Sequence, residues 1–175
     1  MNELHRLIKA IDFAAKKHRD QRRKDAEGTP YINHPIALAA LLIEHVGGEE
    51  LPVIISAILH DTVEDTETTP EELEEHFGSQ VRDIVMEVTD NTSLPKERRR
   101  QLQIEHAGRS SYQARLVKLA DKICNLRDMH EHPPATWSVD RKRAYYDWSK
   151  DVIDQLRGTH RELEAIFDAV YNRRP

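Results

Sequence analysis

Cysteine is almost absent from this chain: Cys124 stands alone among 175 residues. No internal disulfide can form and no CxxC metal cage exists. A lone thiol fits a reducing compartment, so a cytoplasmic location is the expectation. Long apolar runs are missing as well. The longest, IALAALLI and VIISAIL, fall far short of the roughly 20 residues that span a bilayer. The start, MNELHRLIKA, has no signal-type apolar core. No membrane association is expected. The chain also lacks excess positive charge. Its net charge of −5 argues against general DNA or RNA binding and leaves only local basic patches. No segment alternates with period two, and there is no repeat or low-complexity linker.

What is present is helical periodicity. With 33% charged and 38% hydrophobic residues, the composition is that of a globular, helix-rich chain long enough for one domain with its own core. Leu4, Leu7, Ile8 and Ile11 recur at helical spacing and predict a first helix over about 3–18. RDQRRKDAEGTPYINHP follows, polar and broken by Gly28, Pro30 and Pro35, and reads as a long loop of the kind that carries function. Further helices are predicted over about 35–46, 52–62, 70–77, 81–88, 96–106, 111–130, 138–156 and 159–171. Thr69-Pro70-Glu71-Glu72 is a helix start: a capping residue, a proline, then acids at the positive end of the dipole. The fold class is all-α.

The stretch HDTVED at 60–65 places four groups that bind metals or move protons directly after the apolar run VIISAIL. On a helix, His60 and Glu64 lie one turn apart, as do Asp61 and Asp65. His60 and Asp61 alone make an incomplete metal site. His34, in YINHP, and Asp121, set in the apolar helix LVKLADKICNLRDM, are candidate partners. Asn125 shares a face with Asp121. A buried aspartate needs a counter-charge, and a cation supplies one. Two histidines and two aspartates form an N/O set that suits Mn²⁺, Fe²⁺ or Zn²⁺ better than a structural zinc cage. Spacing alone does not join these residues. A lone histidine is more often a surface or satisfied core residue than a ligand. His5, His18, His45, His76, His106, His130, His132 and His160 read that way. Cys124 reads as a packed helix residue. Trp137, Tyr145, Tyr146 and Trp148 read as a helix–helix contact, and KERRRQ at 96–101 as mostly a solvated face.

Taken in order, HRDQRRKDAEGTPYINHP, AILHDTVEDT, FGSQVRDIVMEVTD and LVKLADKICNLRDM resemble the HD-domain hydrolases of alarmone metabolism, specifically the stand-alone small alarmone hydrolases. The resemblance implies a single HD-type hydrolase domain over 1–175, an all-α helical bundle with one metal site, without room for a synthetase domain. It implies one divalent ion, usually Mn²⁺, held by His34, His60, Asp61 and Asp121. It implies that Glu64 and Asp65 handle the attacking water and that Arg23, Lys24, Tyr31 and Asn125 line a nucleotide pocket. The implied reaction is hydrolysis of ppGpp or pppGpp at the 3′-position, releasing pyrophosphate and leaving GDP or GTP. The implied partner is this small-molecule nucleotide, with a homo-oligomer compatible. Which acid is the base stays open. So does the substrate: adenine alarmones, pyrophosphorylated RNA ends and the 2′-phosphate of NADPH present similar groups. A non-catalytic nucleotide-sensing or antitoxin-like module, and a bundle with a purely structural metal, are rival readings.

Overall fold

The computed structural model describes residues 2–48 and 50–175. Among them it places ten helices and no strand. These are α1 Glu3–Lys17, α2 Asn33–His45, α3 Leu51–Leu59, α4 Thr62–Asp65, α5 Pro70–Phe77, α6 Ser79–Val88, α7 Lys96–Ala107, α8 Tyr112–Glu131, α9 Val139–Asp154 and α10 Arg161–Tyr171.

The starts follow from capping chemistry. Side chains of Asn2, Thr69, Ser111 and Ser138 each accept a hydrogen bond from an otherwise orphaned N–H in the first turn of α1, α5, α8 and α9. Between α5 and α6 the chain turns at Gly78 with φ +90°, a conformation that a side chain resists.

The apolar α3 is the organising element. Every residue of it except Pro52 is buried, and it packs on α1, α2, α6 and α8. A helix apolar all round must be surrounded, and here it is. A single hydrophobic cluster joins α3 to buried residues from α1 through α10, including Tyr146 of α9 and Phe167 of α10. Tyr146 satisfies its buried hydroxyl by donating to Leu126 O at 3.1 Å.

The helix predicted over 52–62 ends early. Regular helix stops at Leu59, His60 and Asp61 form a turn with Asp61 at φ −101° and ψ 0°, and the four-residue α4 follows. The cause is local. The Thr62 hydroxyl donates to Leu59 O at 2.7 Å, so a side chain takes a carbonyl that the continuing helix would use.

The loop before α2 is ordered rather than loose. Arg23 N–H donates to Thr29 O at 2.8 Å and Tyr31 N–H to Gln21 O at 3.1 Å, around an isolated bridge between Arg22 and Pro30. These bonds fold the loop back on itself and set its side chains against α8.

Phe167 is fully buried, so Phe167→Ala should cost about 3–5 kcal/mol by urea unfolding. Leu4 is 67% exposed, and Leu4→Ala should stay within about 0.5 kcal/mol. Equal effects would place the core elsewhere.

Candidate metal centre and adjoining cavity

Three elements deliver the cluster. The first turn of α2 carries His34, the α3–α4 turn carries His60, and the middle of α8 carries Asp121. All three are buried, and one ligand atom from each lies within 4.8 Å of the others. His34 Nε2 sits 3.2 Å from Asp121 Oδ1, and His60 Nε2 sits 3.8 Å from it.

Tautomers follow from the neighbours. His60 Nδ1–H donates to Ala57 O at 2.9 Å, which leaves Nε2 to face the cluster. That Nε2 is buried and has no aligned hydrogen-bond partner, although Asp61 Oδ2 lies 2.8 Å away. The distance is short, but the direction is wrong for an N–H···O bond. An orphaned imidazole nitrogen beside two carboxylates is the donor arrangement that a divalent first-row ion takes. The residues present therefore fit a divalent metal.

Asp61 stands at the edge of the cluster. Beside its contact with His60, its Oδ2 accepts the Tyr31 hydroxyl, and it is not among the three residues whose ligand atoms converge.

Electrostatics are set by burial first. Burial alone would lower the pKa of His60, but Asp61 and Asp121 outweigh it and push His60 up to about 9. Burial also lowers His34, against the opposing pull of Asp121, which favours the neutral ring. Burial works to raise Asp61 and Asp121, yet both are held below the usual carboxylate range: Asp61 by His60, and Asp121 by Lys122, His34 and His60. Lys122 is buried with Nζ 3.3 Å from Asp121 Oδ2, and it packs over the Trp148 ring at 4.1 Å.

Beside the cluster opens a cavity of about 620 Å³. Of the ten residues singled out in the sequence, Arg23, Lys24, Tyr31, His34, Asp65 and Asn125 line it. Arg23 donates to Asn125 Oδ1 at 2.9 Å and Asp128 Oδ2 at 2.6 Å, with its guanidinium 5.6 Å from the Tyr31 ring centre. Asn125 in turn donates to Asp121 Oδ1 at 2.5 Å, so one hydrogen-bonded row joins the cavity wall to the cluster.

Glu64 and Asp65 part company. Asp65 lines the cavity, whereas Glu64 does not. Glu64 Oε2 accepts Asp90 N–H at 2.9 Å, and its Oε1 lies 3.6 Å from Arg99 Nη1. Burial raises Glu64 to about 7, with smaller pushes from Asp61, Asp90 and Asp65 and a counter-pull from the Asp90 N–H.

Several contributors escaped the sequence reading. Trp137 and Tyr145 line the cavity as well as packing on each other, with ring centres 5.8 Å apart. Tyr146 and Trp148 do serve packing, Trp148 with its indole N–H on Arg100 O at 3.2 Å. The KERRRQ run is not one solvated face. Arg98 is exposed, but Arg99 turns to Glu64 and Arg100 stacks on Trp148 at 4.9 Å. Asp128 is legible in hindsight, since it continues the Asp121–Asn125 stripe by one further turn. Cys124 is a buried packing residue, with burial pushing its thiol up to about 12.

A family model described as HD domain matches residues 10–147. The chain belongs to the HD domain family. Among HD domain relatives, human guanosine-3′,5′-bis(diphosphate) 3′-pyrophosphohydrolase MESH1 is 51% identical over 99% of this chain and 97% of its own length. The Drosophila melanogaster protein of that name is 44% identical over 97% of this chain and 94% of its own. A solved structure described as a metazoan orthologue of SpoT that hydrolyses ppGpp superposes with a TM-score of 0.93 at 44% identity, covering 97% of this chain and 95% of the other.

Two outcomes are expected of this HD domain. Asp61 and Asp121 push His60 up to about 9 in the metal-free protein, so an ion that binds its Nε2 is expected to displace a proton. Calorimetric affinity for Mn²⁺ should fall about tenfold per pH unit as pH drops from there, with proton release on binding; a pH-independent affinity would contradict this. Carboxyl NMR of the metal-free protein should show Glu64 titrating near 7 rather than at the ordinary 4.5.

Proposed function

We propose that this chain is a Mn²⁺-dependent guanosine-3′,5′-bis(diphosphate) 3′-pyrophosphohydrolase that converts ppGpp or pppGpp to GDP or GTP plus pyrophosphate. The observation that carries the reading is a buried His/Asp cluster beside a cavity whose lining includes Arg22, Arg23 and Lys24 and the rings of Tyr31, Trp137 and Tyr145. The full-length likeness to proteins named for this reaction supports it.

His34, His60, Asp61 and Asp121 would hold the ion. When bound, the ion polarises a phosphoryl oxygen and acidifies a coordinated water. The protein's own groups do the rest. Asp65, on the cavity wall, takes a proton from the attacking water and fixes its direction. The new bond forms between water oxygen and the 3′-phosphorus, and the bond from that phosphorus to the ribose 3′-oxygen breaks. The ribose oxygen leaves with a proton, and the pyrophosphate departs. Glu64, raised by burial to about 7, is the second candidate acid–base group.

The acidic chain still attracts an anionic substrate because its cations gather locally. Lys96 is lowered by burial and further by Arg100, Arg141 and Lys24, so three other cations lie within electrostatic range of it. They suit the phosphates. Arg23, pinned by Asn125 and Asp128, offers a flat face for a base, with Tyr31 beside it.

The proposal extends to a single HD-type domain over 1–175, which one continuous hydrophobic cluster supports, and to a cytoplasmic location. Among the described residues no helix is long and apolar enough to cross a membrane.

With Mn²⁺ loaded, ppGpp should yield pyrophosphate faster than pppApp or NADPH yields any phosphate. Asp65→Asn should lower kcat at least about 100-fold, the scale of general-base loss. Orthophosphate as the only product, or no reaction with ppGpp, would overturn the assignment.

A further inference from the structure

Asp65 carries the proposed chemistry, yet it sits exposed on a four-residue helix. Among the described residues no cation pairs with it, and the hydrogen bond to its carboxylate comes from Gln21 Nε2 at 2.8 Å. The other end of that amide, Gln21 Oε1, lies 2.6 Å from His18 Nδ1. His18 was expected to be an ordinary histidine. It is only 2% exposed, its ring lies 4.8 Å from the Tyr31 ring, and its Nε2 is buried without a partner.

The chemistry of the ends orders this row. A carboxylate accepts only, so the Gln21 NH₂ must face Asp65 and its oxygen must face His18. That oxygen accepts, so His18 Nδ1 carries the hydrogen. The opposite tautomer would set two acceptors against each other. The backbone builds the same corner: Gln21 N–H donates to His18 O at 2.9 Å, and Gln21 O accepts from Tyr31 N–H at 3.1 Å. A rigid α1 end thus fixes a flexible amide, and the amide fixes an exposed carboxylate.

We infer that Gln21 is a positioning residue that aims Asp65 at the attacking water, and that buried His18 locks Gln21 through its Nδ1–H. The inference rests on the role proposed for Asp65. The same corner touches the metal centre, because the His18 ring packs at a tilt against Tyr31 and Tyr31 donates to Asp61. Loss of His18 therefore loosens both sides of the reaction centre, whereas loss of Gln21 loosens only the water side.

The test compares kcat and KM for ppGpp, with Mn²⁺ loaded, across Asp65→Asn, Gln21→Leu, His18→Leu and His18→Asn. Gln21→Leu should lower kcat about tenfold, the scale of one hydrogen bond to a charged group, while KM moves less than about threefold. His18→Leu should lower kcat at least as much. His18→Asn, whose amide N–H stands where Nδ1–H stood, should recover most of that loss. Nitrogen-15 NMR of the imidazoles should show His18 protonated at Nδ1, with that signal shifting in Gln21→Leu. An inactive Asp65→Asn beside unchanged kcat in Gln21→Leu would overturn the inference and leave the reading of Asp65 standing. A Gln21→Leu defect confined to KM would also overturn it, making Gln21 a substrate contact. Full activity in Asp65→Asn would instead remove the reading on which the inference rests. If His18→Leu fails to fold, Gln21→Leu and the wild-type NMR spectrum decide the matter alone.

Discussion

A carboxylate in an apolar helix is the constraint on which this structure depends. Asp121 lies in α8 between the buried residues Leu119, Ala120 and Ile123. An ionised group there costs several kcal/mol unless it is paired and hydrogen-bonded. The fold answers from four directions: His34 from α2, His60 from the α3–α4 turn, and Lys122 and Asn125 from α8 itself. The arrangement satisfies the charge only if α2, α3 and α8 meet at this point. The same meeting leaves an imidazole nitrogen unpartnered. Packing and metal affinity are therefore one requirement.

Around that point the site divides its labour by element. α8 supplies a row of Asp121, Asn125 and Asp128 that runs from the cluster to the cavity wall. The ordered loop before α2 supplies Arg23 and Lys24, and its Tyr31 reaches back to Asp61. The early stop of α3, produced by the Thr62 hydroxyl, turns α4 so that Asp65 lines the cavity and Glu64 turns to Asp90 and Arg99. Two adjacent acids thereby acquire different surroundings.

Much of this was legible in the sequence. Helical periodicity and capping residues located the helices because most of them obey local rules. The resemblance carried by YINHP, HDTVED and LVKLADKICNLRDM gathered residues that the fold brings close. What escaped had physical reasons. Periodicity ran through His60 and Asp61, since nothing apolar marks a hydroxyl that competes for a carbonyl. Arg99 looked like its solvated neighbours because charge composition does not reveal which face of α7 turns inward. Trp137 and Tyr145 looked like packing because an aromatic lining a cavity and one filling a core have the same sequence signature. His18 looked ordinary because its two contacts, Gln21 and Tyr31, exist only once the loop folds back.

The buried cluster of His34, His60 and Asp121 should hold one divalent cation. Anomalous diffraction at the manganese edge, from crystals grown with Mn²⁺, tests it most directly. A single strong peak is expected, bounded by His34, His60 and Asp121, with Asp61 turned toward it from its place beside Tyr31. Peaks confined to surface carboxylates, with the cluster left to its own hydrogen bonds, would contradict it.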